Sequence, residues 1–254
     1  MSIKICLFSL FFVIYYALIG IYEWRINMQK IGIIAALQKE LNLYLQEAKN
    51  YQTREINNHK FYLFNYSGCD VVLCISGMGK VCSAVTTAEM INHFNPDLII
   101  NMGVAGGIDS SLKIGDFVIA DKVCYHDVWC GEPNLNGQMQ GFPLYYNPPA
   151  KLLKLLSGHK QGLVCSGDQF ITASEKLKQI KTDFPQALAV DMESCSIAQT
   201  CFIFAKPFLS VRQISDTPNS DNNVEQYEKF WQNAPQHSAQ MLHTILDIVC
   251  RTEI

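Results

Sequence analysis

The run Ala187-Leu188-Ala189-Val190-Asp191-Met192-Glu193-Ser194 joins a short apolar segment to two carboxylates placed two residues apart. Side chains alternate between faces along a strand, so Asp191 and Glu193 would share one face and Met192 the other. If a helix begins near Glu193, that carboxylate sits instead where free backbone N–H groups favour negative charge. The plain alternative is an N-cap that opens a helix and binds nothing. In an alternating α/β sheet, ligands bind at the carboxyl ends of strands, so the flanking elements decide what this run does.

Downstream, an apolar helix is expected over residues 194–204 and a buried strand over 207–214, ending in Ser215-Asp216. Arg212 lies inside that apolar strand, and a buried guanidinium needs a partner such as a nearby carboxylate. A polar loop over 217–223 leads to one closing amphipathic helix over about 224–249, with Tyr227, Phe230 and Trp231 among its apolar positions. Upstream, GLVC (162–165) reads as a strand ending in SGDQFI (166–171), where Phe170 either stacks on a ring or packs in the core. Ser174 opens a helix that Phe184-Pro185 stops.

The first half repeats the alternation. KIGIIA (30–35) has the uninterrupted β-branched character of a buried parallel strand, and a helix with Leu41, Tyr44 and Leu45 on one face follows. Glu40 falls in its first turn, which is also an ordinary place for a dipole-stabilised surface acid. Residues 60–66 and 71–76 read as a hairpin across Ser67-Gly68-Cys69-Asp70. Gly77-Met78-Gly79-Lys80 turns the chain into a helix over 81–94; it lacks phosphate-loop spacing, so a tight turn is the default. The strand over 98–102 runs into Gly103-Val104-Ala105-Gly106-Gly107, which is not the dinucleotide fingerprint. A strand over 117–124 leads to Tyr125-His126-Asp127, where a lone His is more often structural. The loop over 128–149 is long enough to expect a functional or interfacial role.

With 254 residues, 49% of them hydrophobic, the chain fits one large α/β domain, and a net charge of −3 gives no support for nucleic-acid binding. Its ten cysteines show no CxxC pair or zinc-ligand spacing, which favours a reducing compartment. Residues 6–22 (CLFSLFFVIYYALIGIY) carry no charge, the lower edge of a membrane-spanning length. Either they anchor the protein, with Arg25, Lys30 and Lys39 keeping the domain cytoplasmic, or Met28 is the true start. The division expected is therefore 1–27, a hydrophobic segment, and 28–254, a single globular domain.

Three isolated acids, Glu40, Glu193 and Asp216, each follow a predicted strand end, and in an α/β sheet those ends share one crevice. From Lys30 onward the chain resembles the 5′-methylthioadenosine/S-adenosylhomocysteine nucleosidases of the nucleoside phosphorylase superfamily. The segments that carry the resemblance are KIGIIAALQKE (30–40), SGMGKV (76–81), GVAGG (103–107), LKIGD (112–116), YHD (125–127), SGDQF (166–170), VDMES (190–194) and VRQISD (211–216), in the family's order. The resemblance implies a three-layer αβα fold with a central twisted mixed sheet, a homodimer, and hydrolysis of the N-glycosidic bond of adenine thioribosides, releasing adenine and the 5-thioribose product. It implies a small-molecule nucleoside substrate and no metal or cofactor.

Carried over by position, Glu40 resembles the carboxylate that activates water, and Asp216 the acid that protonates adenine N7. Glu193 would bind the ribose hydroxyls with Met192 beside the sugar. Phe170 would stack on adenine while the Ile171 backbone reads its edge. Gly106 falls in the substrate-contacting turn, and Arg212 would orient site carboxylates. The chain departs from the family at Gln38-Lys39-Glu40, where a run of acids is common, at Asp191, where Glu is frequent, and in the loop over 128–146. The rival readings are a phosphate-dependent phosphorylase, a nucleosidase of the futalosine type, and a catalytically silent nucleoside-binding module.

Overall fold

The computed structural model describes residues 29–251 apart from 49, 218–221 and 232–233. The hydrophobic segment 6–22, with both of its readings, lies outside the described residues. Among those residues the order is β1 (Lys30–Ala35), α1 (Gln38–Glu47), β2 (Gln52–Ile56), β3 (His59–Tyr66), β4 (Cys69–Ile75), α2 (Lys80–Phe94), β5 (Leu98–Gly107) and β6 (Phe117–Tyr125). It continues α3 (Ala150–Leu155), β7 (Lys160–Ser166), α4 (Ser174–Asp183), β8 (Ala187–Asp191), α5 (Ser194–Ile203), β9 (Phe208–Asp216), α6 (Asn223–Phe230) and α7 (Ala234–Cys250).

The strands form one mixed sheet in the order β2-β3-β4-β1-β5-β8-β7-β6-β9, and β9 also pairs in parallel with β5. That last pairing closes β5, β8, β7, β6 and β9 into a ring, while β2-β3-β4-β1 extends from it as an open wing. β1 lies between β4 and β5, parallel to both, which is why its isoleucines are buried on both faces. On one face, Leu41 and Tyr44 of α1 pack with Leu242 and Ile245 of α7. On the other, Met90 and Ile91 of α2 share a core with Ile197 and Ala198 of α5. The expected three-layer αβα architecture is thus present, with half of its central sheet rolled shut.

Three local features differ from the sequence reading. β2 was not anticipated, because four of its five residues are exposed and no apolar alternation marks it. It is joined to β3 through Asn57 and Asn58, both at positive φ (45° and 66°), as a two-residue hairpin turn requires. The Gly-rich stretch over 103–107 is not a turn but the continuation of β5, paired with β9 on one side and β8 on the other. The single closing helix is in fact two, α6 and α7. Pro235, near the start of α7, has no N–H to continue a helix but fits a first turn.

Candidate active site

The C-terminal ends of β1, β5, β8 and β9 open onto one cleft, and Glu40, Gly106, Phe170, Ile171, Met192, Glu193 and Asp216 all line it, together with Tyr227. Arg212 does not. Its side chain is 1% exposed and lies beneath the cleft, where Nε and Nη2 donate to Asp191 Oδ2 at 2.7 and 2.6 Å. Arg212 is therefore no substrate contact by position; a guanidinium in the apolar centre of β9 is held by the carboxylate at the end of β8.

Asp191 is saturated by donors. Besides Arg212 it accepts from Ser166 Oγ at 2.5 Å, Ser194 N at 3.0 Å and Ser194 Oγ at 2.5 Å. It closes the entry to α5, so the capping role belongs to Asp191 and not to Glu193. Glu193 is left to face the cleft, where its Oε1 accepts the Gly79 N–H at 2.8 Å. Burial, and then the charge of Asp191, push Glu193 up to about 7. The 77–80 turn does cradle an anion, but the anion is a carboxylate of the chain itself.

Glu40 sits in the first turn of α1, buried. Leu37 N–H donates to its Oε2 at 2.7 Å and Val104 N–H to its Oε1 at 3.1 Å. Gly103 makes this approach to β5 feasible, since a Cβ there would lie 2.9 Å from Glu40 Oε1. Burial raises the Glu40 pKa, while the Leu37 N–H, the Arg212 charge and the Val104 N–H draw it back down. Asp216, last in β9, is also raised by burial. It accepts from Ser215 Oγ at 2.7 Å and from Asn223 Nδ2 at 3.3 Å.

Asn223 is a residue the sequence reading missed, having been placed in a loop. As the first residue of α6 it donates to both Asp216 Oδ2 and the Ile171 carbonyl, the latter at 3.1 Å, tying the acid to the segment beside it. Phe170 is 47% exposed in the cleft and so is not a core residue; its ring meets Tyr227 edge-on at 5.5 Å. Tyr227 leads on to Trp231, and Lys39 Nζ lies 3.9 Å from the Trp231 ring centroid and 4.7 Å from that of Tyr227. The adjacent His126 and Asp127 form no catalytic pair in the cleft. His126 is buried with neither ring nitrogen bonded among the described residues, and Asp127 pairs with Lys80.

The cleft thus presents four buried carboxylates, Asp191 among them, with an exposed aromatic face and apolar walls, and none of the described residues lining it is Lys, Arg or His. The model of the phosphorylase superfamily matches residues 30–247. A 5′-methylthioadenosine/S-adenosylhomocysteine nucleosidase of Lysinibacillus sphaericus is 36% identical over 223 residues, covering 84% of this chain and 96% of its own length. The chain belongs to the phosphorylase superfamily, among its 5′-methylthioadenosine/S-adenosylhomocysteine nucleosidases. Two solved nucleosidases extend the likeness to structure. The S-adenosylhomocysteine nucleosidase of Streptococcus pyogenes, in complex with 5-methylthiotubericidin, is 37% identical with a TM-score of 0.83, covering 87% of this chain and 98% of that one. The 5′-methylthioadenosine/S-adenosylhomocysteine nucleosidase of Neisseria meningitidis, in complex with methylthio-immucillin-A, is 32% identical with a TM-score of 0.81, covering 86% and 99%.

Proposed function

We propose that this nucleosidase hydrolyses the N-glycosidic bond of 5′-methylthioadenosine and S-adenosylhomocysteine, releasing adenine and the 5-thioribose product. The observation that carries the choice of water over phosphate is the sign of the cleft: acids line it, and among the described residues no Lys, Arg or His does. A dianionic phosphate brought beside Glu40 would meet that carboxylate's repulsion, while Arg212 is already bonded to Asp191 beneath the cleft.

The roles follow from the environments. Adenine is a poor leaving anion, so Asp216, whose pKa burial raises, donates a proton at N7 as the bond breaks. Phe170 stacks on the base, and Ile171 reads its edge. Glu193 accepts from the ribose hydroxyls, with Met192 against the sugar. As positive charge develops on the ribosyl carbon, the surrounding carboxylates stabilise it, and Glu40 takes a proton from water on the face opposite the base. Two acids flanking a glycosidic bond, one as acid and one as base, parallel the inverting glycosidases.

The same reading includes a homodimer and one nucleosidase domain from residue 28 onward. The 128–149 loop exposes Trp129 and Leu135, the kind of surface a second copy would cover. It also places the protein in the cytoplasm, which the nine free cysteines among the described residues support. No helix among those residues is long and apolar enough to cross a membrane, so a tether would have to come from residues 6–22.

Incubation with 5′-methylthioadenosine, with and without inorganic phosphate, tests the reaction directly. Adenine release at the same rate in both is expected. Release that depends on phosphate would identify a phosphorylase, and no release would leave a silent binding module or a nucleosidase for another nucleoside. Light scattering on the purified chain tests the dimer, and a monomer at micromolar concentration would refute it.

A further inference from the structure

The segment that carries Phe170 and the turn that holds Glu193 come from distant parts of the chain, yet three residues outside the cleft lock them together. Lys80 Nζ donates to Asp127 Oδ1 at 2.9 Å. The other oxygen of Asp127 accepts the backbone N–H of Asp168 at 2.9 Å. Asp168 Oδ1 in turn accepts the backbone N–H of Lys80 at 2.8 Å. These bonds close a ring that joins the start of α2, the end of β6 and the segment after β7.

Each member of the ring lies a step from a substrate-facing group. Gly79, one residue before Lys80, donates its N–H to Glu193 Oε1. Phe170 lies two residues after Asp168. The fit at the turn is close: Gly79 has φ +89°, and a Cβ there would stand 2.9 Å from Asp168 Oδ1. The N-terminus of α2 therefore holds two carboxylates at once, Glu193 on the Gly79 N–H and Asp168 on the Lys80 N–H, with the helix dipole favouring both. The Lys80–Asp127 pair is shielded, with side chains 23% and 15% exposed, and the ammonium also lies 5.1 Å from the Tyr125 ring centroid. A partly buried pair with a second hydrogen-bonded partner holds its geometry better than a solvated one.

We propose that Lys80, Asp127 and Asp168 are positioning residues for the nucleosidase reaction. Their ring fixes the separation between the base-stacking Phe170 and the ribose-binding Glu193, so both halves of a nucleoside are bound in one geometry. This rests on the hydrolase reading above. Glycosidic cleavage requires Asp216 to reach the base while Glu40 aims water at the sugar carbon, and a displacement of about 1 Å between the halves spoils that alignment by up to roughly a hundredfold in rate. A ring that served stability alone would leave the folded enzyme's kinetic constants untouched.

The test uses the full chain and three variants, Asp127→Ala, Asp168→Ala and Asp168→Asn, the last retaining an Oδ1 acceptor for the Lys80 N–H. With folding checked by circular dichroism, kcat and KM for 5′-methylthioadenosine and calorimetric affinity for adenine are measured at a temperature where all are folded. The two alanine variants are expected to lose roughly tenfold or more in kcat/KM and to bind adenine more weakly, and Asp168→Asn to recover most of the loss. The pH profile of kcat should keep its shape, because Glu40 and Asp216 are untouched. Kinetic constants and adenine affinity within twofold of the parent in both alanine variants would overturn the proposal, as would an Asp168→Asn as impaired as Asp168→Ala. A parent chain without turnover sinks the hydrolase reading instead, and adenine affinity in the same variants then judges the ring by itself.

Discussion

Replacing Glu193 with Gln separates what this carboxylate does for the substrate from what its burial does to the fold. Burial and the neighbouring Asp191 raise its pKa from the usual 4.5 to about 7. Between those values the folded chain holds a proton that the unfolded chain has lost, so the group's contribution to stability falls as pH rises through that window. The gap of about 2.5 in pH, at about 1.36 kcal/mol for each, comes to roughly 3 kcal/mol of destabilisation at pH 8 that is absent near pH 4.5. Gln keeps an oxygen for the Gly79 N–H while carrying no charge. Urea denaturation of parent and variant across pH 4.5–8 is the assay. The variant should match the parent at the acid end and exceed it by as much as roughly 3 kcal/mol at pH 8, while kcat/KM falls because the ribose hydroxyls lose a charged acceptor. Glu40 and Asp216 are also raised by burial and give the parent a slope of the same sign, but both chains share it and it cancels in the difference. A stability difference that stays flat with pH, or a variant weaker than the parent at pH 8, would refute the assignment of a strained, buried carboxylate here.

Asp216→Asn should lower kcat by about a hundredfold or more while an uncleavable nucleoside analogue still binds within a few-fold of the parent; retained turnover would mean that the base is protonated from elsewhere. Arg212→Met removes the partner of a buried carboxylate and should destabilise the chain by about 3–5 kcal/mol in urea titrations; a loss below about 1 kcal/mol would show Asp191 to be protonated or otherwise satisfied. Gly103→Ala puts a Cβ 2.9 Å from Glu40 Oε1 and 3.4 Å from Arg212 Nη1. It should cut kcat by about tenfold while the KM for 5′-methylthioadenosine changes little, and an unchanged kcat would show that Glu40 has room to shift.

The fold was legible wherever burial imposes a pattern. β1 is covered on both faces, so its sequence is a nearly continuous apolar run, whereas the apolar segments of β6 and β9 are interrupted by Asp121-Lys122 and by Arg212-Gln213. β2 escaped because a strand at the edge of the open wing has little to bury, and its only local signal was the Asn57-Asn58 turn. The Gly-rich end of β5 was read too short as a strand, because glycine carries no apolar pattern; here it lets Glu40 approach a paired strand. Within the site, seven of the eight residues expected there meet in one cleft, because each lies close to a strand end. Arg212 was expected among them and is not, since the sequence shows that a buried Arg needs an acid without showing which acid or on which side of the sheet. Asn223 could not be seen at all; its role depends on α6 bringing a polar side chain back over Asp216, and a polar run carries no periodicity.

The division of labour proposed for the acids would come from their unlike neighbours and not from unlike burial. Glu40, Glu193 and Asp216 are all buried at the rim of one sheet, and desolvation is the largest influence on each. Glu40 has backbone hydrogen bonds from Leu37, Val104 and Ala36 and the Arg212 charge working against that burial, all of which favour the ionised form a base needs. Asp216 has only the neutral hydroxyl of Ser215 and amide of Asn223 working against its burial, and no cation among the influences on it. Glu193 is lifted by burial and further by Asp191, to about 7, and lowered by Gly79 and Arg212. One buried guanidinium thus serves the site without touching substrate. Bonded to Asp191, it sits closer in influence to the base than to the acid, and environments that drive two carboxylates apart are what assign acid and base their tasks.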